Sequence, residues 1–294
     1  MAATESGVRG FRTAHRLKKA QHDENLVVTP LGYRRKERIV RVKRGHLVRR
    51  KKNGWLVLNE ARAVVNDIVP SPGAGVALSS SWVSYAEIAN TTNDPFSLVS
   101  STWTVPPLPQ ANVGQTIYLF NSLQHAVPGG QPDYILQPVL LYGQYPTPNG
   151  ELSSNGGWEV ASFWVPLDPN LPVFVSESPT PVMPGTRLVA TIKLLQEGND
   201  TGGWSYEFGF EGYPGSRLEM DDLPPMALCD LTLEMYGVND SSELPAIAST
   251  TFESNLVVMK SGAKSSAFIG GGQCQAQCRP GPGGTSTVDL IYPT

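Results

Sequence analysis

Leu188-Val189-Ala190-Thr191-Ile192-Lys193-Leu194 and Trp204-Ser205-Tyr206-Glu207-Phe208-Gly209-Phe210 decide the fold class. In the first stretch Leu188, Ala190, Ile192 and Leu194 recur with a period of two, and in the second Trp204, Tyr206, Phe208 and Phe210 do. Successive side chains alternate between faces only in extended chain, so both stretches read as strands with one buried face. Working outward, the same signals predict strands at Ser97–Val105, Thr116–Asn121, Asp133–Tyr142, Gly157–Val165, Leu171–Ser176, Thr186–Gln196, Leu228–Tyr236 and Ser254–Lys260. Tyr134-Ile135-Leu136 is apolar on both faces, which reads as a strand covered on both sides. Pro- and Gly-rich turns at Pro146–Gly150, Pro179–Gly185 and Tyr213–Ser216 punctuate the runs, and no βαβ rhythm appears. With 29 Gly, 25 Pro and 17% charged residues, the expectation is an all-β chain folded as a two-sheet β-sandwich.

Charge divides the chain. Residues 1–54 carry 16 Lys and Arg against 4 Asp and Glu, and the remainder carries 7 against 22. The basic side falls into clusters: Arg34-Arg35-Lys36, Arg41, Lys43-Arg44 and Arg49-Arg50-Lys51-Lys52. Residues 1–25 read as disordered or weakly helical, and Ile39, Val40, Val42, Leu47 and Val48 hint at a strand or two that cannot build a core alone. Trp55 to Leu58 and Ala61 to Val65 read as anchors joining the arm to the acidic remainder of the chain. Pro70-Ser71-Pro72-Gly73-Ala74-Gly75 marks a linker. The expected organisation is a basic, partly disordered arm over 1–70, a β-sandwich over 71–265, and a Gly/Pro/Cys-containing tail over 266–294. An arm of this charge pairs with something acidic, either an outside polyanion or the acidic domain of the same chain.

Several chemistries are excluded or weakened. No apolar run is long enough to span a bilayer, and residues 1–30 lack a signal-peptide core, so the chain as written reads as intracellular. Three Asn-x-Ser/Thr triplets, at Asn90, Asn199 and Asn239, occur at a density chance readily supplies. Three of the four histidines (His15, His22, His46) lie in the arm, and His125 reads as a loop residue beside Pro128-Gly129-Gly130. Neither a His-based triad nor a multi-His metal site is expected. Cys274 and Cys278 could pair with each other, Cys229 reads as a buried thiol, and no second Cys/His pair has zinc spacing. The Gly-rich stretches near 270 and 281 lack the helix and Lys-Ser/Thr of a phosphate loop. No cofactor or metal is expected. Carboxylates and amides remain: strand 228–236 puts Asp230, Thr232 and Glu234 on one face and Leu231, Leu233 and Met235 on the other. Asp230 and Glu234 stand roughly 13 Å apart along a strand, too far to act as one dyad.

Leu98 to Pro106, then Ile135-Leu136-Gln137, then Trp164-Val165-Pro166, then Asp230 to Glu234 resemble, in order and approximate spacing over residues 80–260, the glutamic peptidase (eqolisin) family. The resemblance implies two antiparallel sheets in a concanavalin-like sandwich with a groove on one concave sheet. It also implies an endopeptidase active in acid, in which a carboxylate and a glutamine amide activate water and stabilise the oxyanion. Gln137 matches the family's Ile-Leu-Gln glutamine, and Asp230 falls on the catalytic glutamate when Glu234 is matched to the second acid of Ala-Glu-x-x-x-Glu. Asn121, Glu159, Trp164 and Glu234 are the corresponding candidate binding residues. The chain departs from the pattern in having Asp230 for a glutamate, Asn121 for an aspartate, Phe163 for a groove glutamate and Ala161 for a tryptophan. Pro138 removes a strand N–H beside Gln137 and so predicts an edge or bulge there.

These residues support three readings. One is a glutamic-peptidase-like protein, active or inactive, whose basic arm covers the groove like a propeptide and leaves it when carboxylates protonate. The second is a non-catalytic sandwich binding carbohydrate or peptide, with Trp103, Trp158, Trp164 and Trp204 as stacking faces. The third is an interaction protein whose arm meets nucleic acid or an anionic membrane surface through nonspecific, salt-dependent contacts.

Overall fold

The computed structural model describes residues 25–70, 81–126, 132–146, 152–177, 179–199 and 202–294. Residues 1–24, 71–75 of the expected linker and the glycine turn at 128–130 lie outside the described residues. The N-terminal strands are β1 Leu26–Thr29, β2 Gly32–Arg35, β3 Ile39–Val42, β4 Leu47–Lys51, β5 Gly54–Leu58 and β6 Val64–Ile68. They are followed by β7 Trp82–Ala89, β8 Phe96–Thr104, β9 Thr116–Ala126, β10 Pro132–Pro146, β11 Leu152–Pro166, β12 Val173–Ser176, β13 Thr180–Val182 and β14 Arg187–Gln196. The rest are β15 Trp204–Phe210, β16 Tyr213–Leu223, β17 Leu228–Tyr236, β18 Ser249–Met259, β19 Lys264–Ser265, β20 Ile269–Gly271, β21 Gln277–Pro280 and β22 Ser286–Ile291.

These strands make two stacked sheets. The front sheet runs β20-β7-β17-β9-β10-β11-β12-β3 with β13 beside β11; the back sheet runs β21-β22-β18-β8-β14-β15-β16-β4-β5-β6 with β19 beside β18. The sandwich core between them takes the period-two positions read from the sequence. Leu188, Ala190, Ile192, Tyr206, Phe208 and Phe210 from the back sheet meet Leu119, Leu136, Leu140, Leu231 and Leu233 from the front. The all-β, two-sheet expectation holds. The pairing is antiparallel except at two places, where β3 lies parallel to β12 and β4 parallel to β16.

Those two parallel pairs are made by the arm. Its strands complete sheet edges because its apolar residues interleave with its basic ones. Val48 is fully buried while Arg49 and Arg50 face solvent, and Trp55, Val57 and Leu58 are buried in β5. Trp55 stands edge-on to Trp164 at 4.5 Å and to Phe174 at 5.5 Å. Charge seals the edge: Arg49 Nε lies 2.6 Å from Asp221 Oδ2, and Arg62 Nη1 lies 3.2 Å from Glu219 Oε1. The C-terminal tail is likewise ordered: β20 pairs with β7, and β22 with β18, burying Val288, Leu290 and Tyr292. Cys274 and Cys278 are separate thiols, and Cys229 is buried.

Tyr213–Ser216, expected as a turn, opens β16; the reversal is made by Gly212 at φ 80°, a conformation that a Cβ opposes. β10 is central in its sheet, so the edge expected at Pro138 is absent. Instead the β9 ladder has rungs at Leu136 and Val139 but none at Gln137 or Pro138, because proline offers no N–H to the neighbouring strand.

β1 and β2 belong to neither sheet. They form a hairpin laid on the outer face of the front sheet, where Leu26, Val28, Leu31 and Tyr33 pack with Tyr118, Phe120, Ile135, Val139, Leu141, Phe163 and Tyr236. At its tip Pro30 and Leu31 form the two-residue turn. Leu31 takes φ 67°, costing about 1–2 kcal/mol for a non-glycine residue. Burial of its side chain in the same cluster contributes about 1.5–3 kcal/mol and offsets that strain.

Candidate active site beneath the hairpin

Cross-strand registers fix which side chains share the outer face of the front sheet. Asp230 stands opposite Ser122, Thr232 opposite Phe120, and Glu234 opposite Tyr118. On the next strand pair Val139 stands opposite Phe120 and Leu141 opposite Tyr118; beyond them Gln137 stands opposite Phe163 and Leu141 opposite Glu159. Directly opposed residues point to the same side. Two polar rows therefore cross the face, Asp230–Ser122–Gln137 and Glu234–Tyr118–Leu141–Glu159, with an apolar row through Phe120, Val139 and Ala161 between them.

Gln137 and Asp230 thus occur in one row with β9 between them, their backbones about 10 Å apart at normal strand spacing. Both side chains are fully buried. Asp230 Oδ2 accepts from Gln124 Nε2 at 2.5 Å and from Ser122 Oγ at 3.2 Å. Burial pushes its carboxyl up to about 7, against the lowering effect of the Gln124 and Ser122 hydrogen bonds. Among the described residues Gln137 Nε2 and Oε1 find no hydrogen-bond partner. A buried amide left unpaired costs about 1–3 kcal/mol.

Glu234 occupies the other row and is held by the hairpin. Its Oε1 accepts the Leu31 backbone N–H at 2.9 Å and the Tyr236 hydroxyl. Tyr118 donates its hydroxyl to Val28 O at 3.1 Å, and Arg34 Nη2 donates to Pro166 O at 2.6 Å. Burial raises Glu234 to about 7, with Tyr236 and the Leu31 N–H pulling the other way, and desolvation lowers Arg34 to about 10. Glu159 is also buried on this face, opposite Pro181 of β13.

The remaining two binding candidates point elsewhere. Asn121 alternates with Ser122 and so faces the sandwich core, where its Nδ2 donates to Ala190 O of β14 at 3.3 Å and ties the two sheets. Trp164 also turns inward, into the Trp55–Phe174–Tyr134 cluster. The other tryptophans fail as stacking faces for the same reason: Trp103 and Trp158 are 1% exposed and Trp204 9%. His125, expected in a loop, lies in β9, stacks on Tyr134, and sets Nδ1 3.0 Å from Asp133 Oδ2. Among the described residues no group of three or more His, Cys, Asp or Glu could hold a metal ion. None of their helices is long and apolar enough to cross a membrane.

Two side chains on Asp230 were missed. Ser122 and Gln124 continue the period of Tyr118 and Phe120, a signal cut short by ending that strand at Asn121. Glu87, directly opposite Asp230 on β7, lies on a strand that was not foreseen, although Ala86 and Ile88 flank it with the inward half of a strand pattern.

No protein-family model matches the chain, and no curated protein matches it. Its structural neighbours include glutamic peptidases. Scytalido-glutamic peptidase, solved with a peptide-based transition-state analog, is 13% identical over 72% of this chain and 98% of its own, with a TM-score of 0.41. SCP-B, a member of the eqolisin family of peptidases solved with the tripeptide Ala-Ile-His, is 12% identical over 72% of this chain and 98% of its own, with a TM-score of 0.40.

Proposed function

We propose that this chain is a glutamic-peptidase-like hydrolase of extended polypeptides, held latent by its own β1–β2 hairpin. One observation carries the reading: a buried carboxylate, Asp230, and a buried amide without a partner among the described residues, Gln137, share one row of a sheet face that binds a stretch of extended chain. In this reading Gln137 Nε2 donates to the carbonyl oxygen as it gains negative charge. Asp230 takes a proton from the attacking water and returns one to the leaving amine. Gln124 and Ser122 fix the Asp230 rotamer, which is how a carboxylate one methylene shorter than glutamate keeps its place. Glu234, Glu159, Phe120 and Val139 line the rest of the groove and receive substrate side chains and backbone N–H groups, as Glu234 receives Leu31.

Acid does not release this hairpin by way of the groove carboxylates. Glu234 with its raised pKa prefers the protonated state when covered, so acid favours the covered form there. Displacement of the hairpin by competing chain or by cleavage fits the geometry better than charge repulsion. The test is hydrolysis of a peptide library, read by mass spectrometry from pH 3 to 7, by the full chain carrying Leu31→Asp, which puts a polar side chain into the apolar cluster beneath the hairpin and dislodges the turn. Cleavage that is absent from the same chain with Gln137→Ala or Asp230→Ala supports the proposal. Cleavage unaffected by both substitutions, or none despite a displaced hairpin, refutes it.

A further inference from the structure

The polar row does not end at Asp230. In the β17–β7 ladder Asp230 stands directly opposite Glu87, and Glu87 in turn stands opposite Ile269 of the edge strand β20. Opposed residues share a face, and the neighbours Ala86 and Ile88 are buried in the sandwich core, so the Glu87 side chain projects onto the groove face beside Asp230. Glu87 is half-buried and Ile269 is 76% exposed, so the row opens to solvent at this end. The two Oδ atoms of Asp230 are unequal. Oδ2 takes both the Gln124 and the Ser122 hydrogen bonds, whereas Oδ1 accepts from no donor among the described residues.

We infer that Glu87 and Asp230 form a carboxyl pair sharing one proton, and that this pair is the acid–base group of the groove, with Glu87 acting through Asp230. The catalytic half rests on the peptidase reading; the shared proton does not. Two carboxyl groups on adjacent strands within hydrogen-bonding reach, one of them fully buried, resist ionising together, so a single proton lies between them. The strongest influences on Asp230 are burial, Gln124, Glu87 and Ser122, none of them cationic.

Protons and electrons balance through the step. The water oxygen bonds to the peptide carbon while one water proton passes to Asp230, and the carbonyl π pair moves onto its oxygen, facing Gln137 Nε2. The pair now holds two protons. As the C–N bond breaks, one of them passes to the leaving nitrogen, the oxyanion re-forms the carbonyl, and the products are a carboxylic acid and an amine. The pair is back to one proton. Glu87 supplies a proton store at the solvent-facing end of the row, which a Gln–carboxylate dyad alone lacks.

The test measures side-chain carboxyl NMR on the full chain with and without Glu87→Gln, and kinetics on the Leu31→Asp chain with Glu87→Gln and Glu87→Asp. Expected are two coupled titrations in the parent that collapse to one in E87Q, a kcat at least 100-fold lower in E87Q with KM little changed, and partial recovery in E87D. An Asp230 titration unaltered by E87Q overturns the shared proton, and unaltered kcat overturns the catalytic role, while either leaves Gln137 and Asp230 standing. Coupled titrations in a chain that cuts no peptide overturn the peptidase reading and the catalytic role together and leave the pair itself established. Far-UV circular dichroism separates each result from misfolding.

Discussion

Replacing Glu234 by glutamine isolates how the covered groove depends on pH. In the folded chain burial raises the Glu234 carboxyl from 4.5 to about 7, although Tyr236 and the Leu31 N–H favour its ionised form. A raised carboxyl means that the folded state keeps a proton the unfolded state has released. The stability contributed by the neutral group is complete below about pH 4.5 and is lost as pH climbs through about 7. The shift is roughly 2.5 units at about 1.4 kcal/mol each, so Glu234 costs the parent about 3 kcal/mol between pH 4 and pH 8. Glutamine keeps an oxygen for the Leu31 N–H and cannot ionise, so E234Q escapes that loss. Asp230, raised from 3.8 to about 7, still titrates in both proteins and cancels in the comparison. The assay is urea unfolding followed by tryptophan fluorescence at pH 4, 6 and 8. The expected result is a parent curve that falls about 3 kcal/mol more steeply than E234Q over this range. Parallel curves would show that Glu234 is solvated or ionised beneath the hairpin and would refute the buried geometry.

Three other substitutions separate groove, core and hairpin. Gln137→Leu removes an amide with no partner among the described residues, so it leaves the urea midpoint unchanged or raises stability by up to about 1 kcal/mol, while abolishing turnover in the hairpin-displaced chain. Asn121→Ala breaks the inter-sheet bond to Ala190 O and costs about 1–2 kcal/mol of stability with no change in KM, since Asn121 lies on the core side of the sheet. Tyr33→Ala removes a ring packed edge-on to Tyr236 at 5.9 Å. It costs about 3 kcal/mol, read as faster hydrogen exchange at β1 and β2 with exchange in β9, β10 and β17 unchanged.

The strands legible in the sequence were those whose two faces differ in polarity. β15 and β17 coincide with the alternating runs 204–210 and 228–236, residue for residue. What escaped was pairing between distant segments. Leu47 and Val48 hint at a strand in the sequence, but its parallel partner β16 lies far along the chain and cannot be read from the run itself. Val288, Leu290 and Tyr292 alternate inward in a tail whose Gly and Pro content masked the signal. At the site, Gln137 and Asp230 were found through a resemblance, and their shared row came from registers that no single strand encodes. Asn121 and Trp164 were misplaced because alternation puts them one residue out of phase with the groove. The polar face of β17 shows its residue types in the sequence but not its burial, because Glu234 is covered by Leu31, far upstream in the chain.

The central claim, that the chain's own hairpin occupies a groove built for extended polypeptide, is tested most directly by competition. Hydrogen exchange of the full chain is measured with increasing concentrations of a mixed library of extended peptides. Amides of Leu26–Arg35 are expected to lose protection in step with peptide binding while β9, β10 and β17 keep theirs. Peptide binding that leaves the hairpin's protection unchanged would place the binding site elsewhere and contradict the claim.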